Sequence, residues 1–346
     1  MMTDQTSTPD AAPALPPGWE DAADKLYRIV SGDGEAVAWV CPEIGGNTVA
    51  YAVNVGEEWV QLLDIAPPAT LRETPSRYGL PVLFPFPGHM RNRRYQWAGR
   101  EIEVPPTFAG TDAVTHGFAH VRPWRLVEHA PSRVICELRT PGDLAADQGA
   151  SYPFTIRLTQ TIELDTQGTG ELLVTLTAVN EGDALAPVAF GLHPYFGAGI
   201  LGADRTRVHV ELPGKSERVR TGEPTPFMTS ERAPAPANPV SIVPLGQTMA
   251  TGRTDFRFEG DTARIIDLAP INGQFGWTVD LEMIGYKDIL FFAPPAQNSI
   301  SLEPQSHMPS CASMPEGHPD GLVGLAPGAT LEAVCRIRLV PPVTGA

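Results

Sequence analysis

The sequence predicts an all-β protein, and three observations lead to this fold class. Short apolar runs with the two-residue alternation of β-strands recur along most of the 346-residue chain. The chain holds 33 glycines and 36 prolines, which suit many strands joined by turns better than long helices. Hardly any segment keeps the 3.6-residue period of an amphipathic helix. We therefore expect a large β-sandwich built from antiparallel hairpins.

The strands follow one another from residue 27 to residue 339, and glycine-containing turns separate the first four. Strands are predicted over residues 27–30, 36–40, 49–53, 59–63, 133–138, 154–162, 171–180, 187–196, 207–212, 254–258, 264–268, 276–281, 299–303 and 331–339. The proline-rich stretches 67–106 and 213–254 are predicted to be loops, because proline neither continues a helix nor donates to a central ladder. Residues 1–22 are predicted to form a disordered tail, and residues 23–343 a single domain.

Composition narrows the classes of partner. The formal net charge of −15 disfavours nucleic acid and anionic membranes, since both attract basic patches. No apolar run approaches the roughly 18 residues of a membrane-spanning helix, and the N-terminus lacks the pattern of a signal peptide. Four distant cysteines without a CxxC pair indicate free thiols. We expect a cytoplasmic protein that is a monomer or a homodimer.

Two predicted strands each carry a titratable side chain directly before a proline. Glu303 shares a strand face with serines and precedes Pro304, which should end regular pairing. His193 shares a face with small residues, including Gly191, and precedes Pro194. Small neighbours would leave open space over that face. A glutamate and a histidine placed in this way are a candidate acid–base pair, although a glutamate at a strand end is more often simply exposed to water.

One loop carries a basic cluster in an otherwise acidic chain. Arg91, Arg93 and Arg94 closely follow His89 in this proline-rich stretch. Because arginine pairs bidentately with phosphate, the cluster suits a phosphorylated or otherwise acidic ligand if its side chains converge on the site. The alternative is a solvated run of surface charge.

A metal site is not expected from the histidine spacing. His116 and His120 lie four residues apart, which would suit a metal ion on a helix. Gly117 and Pro123 argue against a helix there, and no third ligand is evident nearby.

The remaining motifs exclude several enzyme classes and favour proton transfer. No GxxxxGK[ST] or GxGxxG loop opens a helix after a strand, and neither GxSxG nor HExxH occurs. Histidine, glutamate, aspartate and arginine among aromatic residues suit a polar, uncharged ligand such as a sugar. A positioned acid or base accelerates such a reaction by about 10²–10⁴-fold.

Five stretches resemble the aldose 1-epimerase (galactose mutarotase-like) family. They occur in the family's order and at about its spacing over residues 25–340, and GLHPYF is the most specific. The stretches are GLPVLFPFPGHMRNRRYQWAGR, THGFAHVRPW, FGLHPYF, SLEPQSHMP and GLVGLAPGATLEA.

The resemblance implies a large antiparallel β-supersandwich that binds a sugar in a cleft along one sheet, without a metal or an organic cofactor. It also implies roles for three residues: Glu303 as general base, His193 as general acid, and His116 as an assisting contact to the sugar. The implied reaction opens the hexose ring to the free aldehyde and recloses it with the opposite anomeric configuration.

The chain departs from the family in its substrate-binding loop. The family usually has Asn-Arg-Ile where this chain has Gly88-His89-Met90, so His89 or Arg91 is expected to replace the family's arginine. Asp255 is expected to be the substrate-binding aspartate, and Gln305 a further contact. Two alternatives remain open: an epimerase of a phosphorylated or acidic sugar, and a sugar-binding protein of the same fold without turnover.

Overall fold

The structure is a computed structural model that describes most of the chain. It describes residues 12–56, 58–108, 110–202, 208–213, 218–221, 227–228, 240–244, 255–266, 268–293 and 297–342, with side chains described outside 213–259. Within these residues no helix is long and apolar enough to cross a membrane.

Strands dominate the secondary structure, as the alternating sequence pattern predicts. The strands are β1 (Tyr27–Val30), β2 (Ala36–Cys41), β3 (Asn47–Val55), β4 (Glu58–Gln61), β5 (Val82–Leu83), β6 (His89–Met90), β7 (Arg94–Trp97), β8 (Arg100–Glu103), β9 (Val114–Thr115), β10 (Arg125–Ala130), β11 (Arg133–Arg139), β12 (Ile156–Leu164), β13 (Leu172–Asn180), β14 (Ala186–Pro187), β15 (Gly191–Leu192), β16 (Tyr195–Phe196), β17 (His209–Pro213), β18 (Arg218–Thr221), β19 (Phe227–Met228), β20 (Val240–Pro244), β21 (Asp255–Glu259), β22 (Thr262–Ile266), β23 (Thr278–Ile284), β24 (Asp288–Phe292), β25 (Ile300–Gln305), β26 (Gly324–Leu325) and β27 (Thr330–Val340).

The helices are short and lie between strands. The α-helices are α1 (Pro68–Glu73), α2 (Ala146–Ser151) and α3 (Ala198–Leu201), and 3₁₀ helices cover Glu20–Lys25, Arg91–Arg93, Ala119–Val121 and Cys311–Ser313.

Two large antiparallel sheets form the body of the protein. One has the order β10-β11-β12-β13-β27-β23-β22-β17-β20. The other has the order β19-β18-β21-β24-β25-β15-β5, with β16 also paired to β25. A four-stranded sheet, β1 to β4 in sequence order, comes from the N-terminal meander. This is the all-β, antiparallel supersandwich that the sequence predicts.

One hydrophobic core joins the two large sheets. Leu176 and Ile337 enter it from the nine-stranded sheet, and Phe291 and Leu302 from the eight-stranded sheet. Strands β12 and β13 alternate between buried and half-buried residues, because only one of their faces covers the core. In β25, by contrast, every residue is buried. Its second face is therefore covered by other parts of the protein.

The ordered chain begins before residue 23. Trp19 lies within the segment predicted to be disordered, yet its ring is fully buried beside Trp39 and Leu71. Its indole N–H donates to the carbonyl of Ala66 at 3.0 Å. Burial of a large aromatic ring accounts for the order of this segment despite its proline-rich composition.

Three other expectations about the strands are wrong in detail. The stretch 187–196 is not one strand: it contains the end of β14 and the two-residue strands β15 and β16, with breaks at residues 188–190 and at His193 and Pro194. Pro304 does not end its strand, since β25 continues to Gln305 with Pro304 opposite Ile289. The predicted loop region 213–254 contains β18, β19 and β20, and its remainder lies outside the described residues.

Candidate active site

Strand β25 positions Glu303. It pairs with β24 on one side and with the short strands β15 and β16 on the other. Ile300 and Leu302 point into the core, so alternation directs Ser301, Glu303 and Gln305 to the opposite face. That face is not open to water, because Glu303 is only 1% exposed. The alternative weighed from the sequence, a strand-end glutamate exposed to water, does not hold for Glu303.

His193 lies in the gap between β15 and β16, beside the same strand. Its backbone N–H donates to the carbonyl of Pro81 at 3.0 Å, which holds the chain at the break. Gly191, two residues before His193, does not have the role that the sequence indicates, which was to leave open space over this face. A Cβ on Gly191 would lie 2.7 Å from the carbonyl oxygen of Pro304 and 3.0 Å from Cγ of Gln305. Gly191 therefore admits β25 rather than leaving open space.

His193 and Glu303 form a buried hydrogen-bonded pair. Nε2 of His193 lies 3.1 Å from Oε1 of Glu303, and the imidazole is 3% exposed. The other ring nitrogen, Nδ1, lies 2.7 Å from the hydroxyl of Ser301. Oε2 of Glu303 accepts a hydrogen bond from the Gln305 amide at 3.0 Å. Each catalytic candidate is thus held by a side chain from β25.

Burial sets the protonation of this histidine. It lowers the pKa of His193 from 6.5 to about 3, and the nearby imidazole of His120 acts in the same direction. An isolated proton on this ring is therefore unfavourable at neutral pH. A proton placed on it is readily given up to an acceptor.

The loop that departs from the family, residues 88–90, holds His116 beside the pair of His193 and Glu303. The ring of His116 meets that of His193 edge-on, with centroids 5.1 Å apart. The backbone N–H of Gly88 donates to the ring nitrogen Nδ1 of His116 at 3.1 Å. The backbone N–H of His116 in turn donates to the carbonyl of Gly88 at 2.7 Å. Because Nδ1 accepts a hydrogen bond, the proton of neutral His116 lies on Nε2. His116 also has a φ of 60°, the kind of backbone strain that often occurs at functional sites.

His89 lies next to His116, whereas Arg91 does not join this cluster of rings. Pairing of β6 with β9 sets His89 opposite Thr115, and the His89 and His116 rings lie 6.0 Å apart. Arg91 is exposed at the start of the Arg91–Arg93 helix. Its backbone N–H donates to the Ser313 hydroxyl at 2.7 Å. Of the two replacements considered for the family's arginine, the structure brings His89 to the histidine cluster.

The other two arginines of the basic cluster pair with nearby carboxylates. Arg93 lies 2.7 Å from Asp112 and 3.2 Å from Glu103, and Arg94 lies 2.8 Å from Glu101. Their charges are balanced locally. The cluster thus offers little support for recognition of a phosphorylated sugar.

Asp255 is placed by its backbone only. It begins β21 and lies opposite Phe292 in β24, which in turn lies opposite Ser301. Its side chain lies outside the described residues. The assignment of Asp255 as the substrate-binding aspartate stays a prediction.

The donor types at the site would suit a divalent metal ion, but the hydrogen bonding would not. One ligand atom each from His116, His193 and Glu303 lies within 4.8 Å of the others. Neutral His116 has a single ring lone pair with which it could bind a metal ion. The Gly88 N–H occupies that lone pair at Nδ1, while Nε2 carries the proton. Coordination by all three residues would cost this backbone hydrogen bond.

Sequence reasoning assigned no role to three residues that shape the pair. Ser301 bonds to His193, Tyr195 stacks on the His193 ring at 4.5 Å, and the ring of Phe292 meets it edge-on at 6.1 Å. Ser301 and Tyr195 are each two residues from a catalytic candidate. The two-residue alternation of strands was therefore the signal available for both.

The comparisons with known proteins agree with this architecture. A GalM/aldose epimerase homologue from C. elegans superposes with a TM-score of 0.73 at 16% identity, covering 92% of this chain and 99% of that one. A galactose mutarotase-like protein from Clostridium acetobutylicum gives a TM-score of 0.71 at 19% identity, covering 90% and 94%. The Escherichia coli protein YphB is 23% identical over 286 residues, covering 74% of this chain and 82% of its own.

The fold is thus that of the galactose mutarotase-like proteins. The chain belongs to the aldose 1-epimerase family, whose family model matches residues 27–338. The matched range includes the whole candidate site.

Proposed function

We propose that the protein is a mutarotase that interconverts the α and β anomers of a hexose, with Glu303 as general base and His193 as general acid. The buried pair of His193 Nε2 and Glu303 Oε1, 3.1 Å apart, is the observation that carries this proposal. Mutarotation removes a proton from the anomeric hydroxyl and adds one to the ring oxygen. Both oxygens are bonded to the same carbon, so acid and base must stand side by side.

The proton count of the pair stays constant through the reaction. In ring opening Glu303 takes the anomeric proton while His193 gives its Nε2 proton to the ring oxygen. The pair therefore holds one exchangeable proton both before and after the step. Because burial lowers the pKa of His193, the protonated ring is a strong donor. Ring closure uses the reverse transfers: His193 takes the proton of the ring-forming hydroxyl and Glu303 gives its proton to the aldehyde oxygen, which restores the starting state of the pair.

The neighbouring residues orient the pair and the sugar. In our assignment Nδ1–H of His193 donates to Ser301, which leaves Nε2 for the exchangeable proton. The Nε2–H of His116 donates to a sugar oxygen and stabilises charge that develops during ring opening. His89 and Asp255 supply further polar contacts to the hydroxyls.

Anomer exchange tests the proposal directly. Pure α-glucose and α-galactose are dissolved separately, and the anomeric protons are followed by NMR with wild type, Glu303→Gln and a buffer blank. We expect wild type to accelerate equilibration and Glu303→Gln to lose about 10²–10⁴-fold in rate, since the amide cannot accept the proton.

The same experiment separates the alternatives. Acceleration of glucose 6-phosphate but of neither free sugar would favour the phosphorylated substrate. Acceleration of no sugar, together with sugar binding that Glu303→Gln leaves intact, would favour a binding protein without turnover.

A further inference from the structure

The segment that follows β25, the strand of Glu303, returns to the loop that holds His116. It leads from Gln305 through Ser310 into the Cys311–Ser313 helix. Ser310 is buried, and its φ of 67° is a left-handed conformation that is uncommon outside glycine. A residue kept in such a conformation often serves a specific contact.

Ser310 hydrogen-bonds to the loop on both sides of Gly88. Its backbone N–H donates to the carbonyl of Pro87 at 3.0 Å. Its hydroxyl accepts a hydrogen bond from the backbone N–H of His89 at 3.2 Å. Gly88, between these two bonds, donates its own N–H to Nδ1 of His116. Ser310 therefore fixes the residue that holds the His116 ring.

Gly88 permits this close approach because it has no side chain. A Cβ at position 88 would lie 2.6 Å from the backbone nitrogen of Ser310, which is too short for a real contact. The φ of Gly88 is 80°, which also favours glycine. Gly88 and Ser310 thus fit each other as a pair.

We propose that Ser310 is a positioning residue that acts on the reaction through His116. It fixes Gly88 against the segment that follows Glu303, and Gly88 holds the tautomer of His116 that carries its proton on Nε2. The contact also sets the direction of this proton relative to the pair of His193 and Glu303. This inference rests on the proposed mutarotase activity and adds a residue that supports it from outside the pair.

A double-mutant cycle tests this role. It compares kcat/KM for glucose, measured by NMR of the anomeric protons, among wild type, Ser310→Ala, His116→Ala and the double variant. Ser310→Ala removes a hydrogen-bond acceptor, so kcat/KM should fall by about 2- to 12-fold in the wild-type background. In the His116→Ala background the same change should have no further effect, because the positioned ring is gone. An equal fall in both backgrounds would overturn the proposal.

The neighbouring Ser313 provides the matched control. Its hydroxyl accepts a hydrogen bond from the backbone N–H of Arg91 at 2.7 Å, farther along the same loop. Because Arg91 does not join the histidine rings, Ser313→Ala should leave kcat/KM unchanged. A loss equal to that of Ser310→Ala would show general loosening of the loop and contradict the positioning role.

A second variant guards against misfolding. Ser310→Gly also removes the hydroxyl, and glycine adopts a φ of 67° without strain. It should show the same loss of kcat/KM in the wild-type background and no further loss beside His116→Ala. Full activity of Ser310→Gly would refute a role for the hydroxyl.

Failure of the proposed function gives a separate result, because the tautomer of His116 can be observed without turnover. Heteronuclear NMR of the ring nitrogens is recorded for wild type, Ser310→Ala and Ser313→Ala in the absence of sugar. We expect His116 to be protonated at Nε2 in wild type and in Ser313→Ala. In Ser310→Ala the resonances of Nδ1 and Nε2 should move towards each other, as the second tautomer becomes populated. Unchanged ring resonances in Ser310→Ala would overturn the proposal, whether or not the protein accelerates anomer exchange.

Discussion

Ser301→Ala tests most directly how the site orients its proposed general acid, His193. The hydroxyl of Ser301 lies 2.7 Å from Nδ1 of His193, and both residues are buried. Removing it frees the ring to adopt the other tautomer, which places the permanent proton on Nε2, so that Nε2 cannot take up the exchangeable proton when the sugar ring closes. A hydrogen bond of this kind contributes about 0.5–1.5 kcal/mol, so kcat should fall by about 2- to 12-fold. KM for glucose should stay near the wild-type value, because Ser301 acts through His193.

The chain provides a matched control on the same strand face. Ser299 is also fully buried, and within the described residues its hydroxyl has no hydrogen-bond partner. Ser299→Ala should therefore leave kcat unchanged. The assay is exchange of the anomeric protons by NMR over a range of glucose concentrations. Equal kcat for the two variants, or a change in KM alone for Ser301→Ala, would refute the orienting role.

Three further predictions concern the support of the site. Gln305→Ala removes the amide that donates to Glu303, so kcat should fall by about 2- to 12-fold with little change in KM; a change confined to KM would show instead that Gln305 contacts the sugar. Gly191→Ala would force a Cβ to within 2.7 Å of the Pro304 carbonyl, so urea unfolding should show a loss of about 1–3 kcal/mol. Gly142→Ala, whose Cβ would meet nothing closer than 4.0 Å, should be neutral, and equal stability of the two variants would contradict the clash. Burial lowers the pKa of His120 to about 3 and that of His307 to about 4, so the unfolded chain binds more protons below the ordinary histidine pKa of about 6.5. Stability should therefore fall as pH drops from about 6 to 4.5, at up to roughly 3 kcal/mol per pH unit from these two groups, and His120→Phe should reduce the slope by about 1.4 kcal/mol per pH unit. An unchanged slope in urea unfolding would contradict the burial of His120 as a neutral ring.

Much of the fold follows from local sequence pattern. Strands such as β12 and β13 bury one face and expose the other, so their alternation is visible in the sequence. The stretch 187–196 was harder to predict, because both of its faces are buried and its pairing depends on β25. Trp19 was missed because a single buried ring can order a segment whose composition is typical of a disordered tail.

The candidate site, like the fold, was predicted in part from local sequence pattern and in part only from the tertiary structure. The sequence alone determined the all-β class, the strand alternation that puts Ser301 and Glu303 on one face, and the candidate residues His193, Glu303 and His116. Only the tertiary structure decided that Glu303 is buried, that His193 lies 3.1 Å from it, and that Gly88 fixes the tautomer of His116. It also decided that Arg93 and Arg94 pair with carboxylates rather than join the site. The physical reason is range: alternation is a property of neighbouring residues, whereas burial, pKa and ion pairing depend on segments that meet only when the sheets pack.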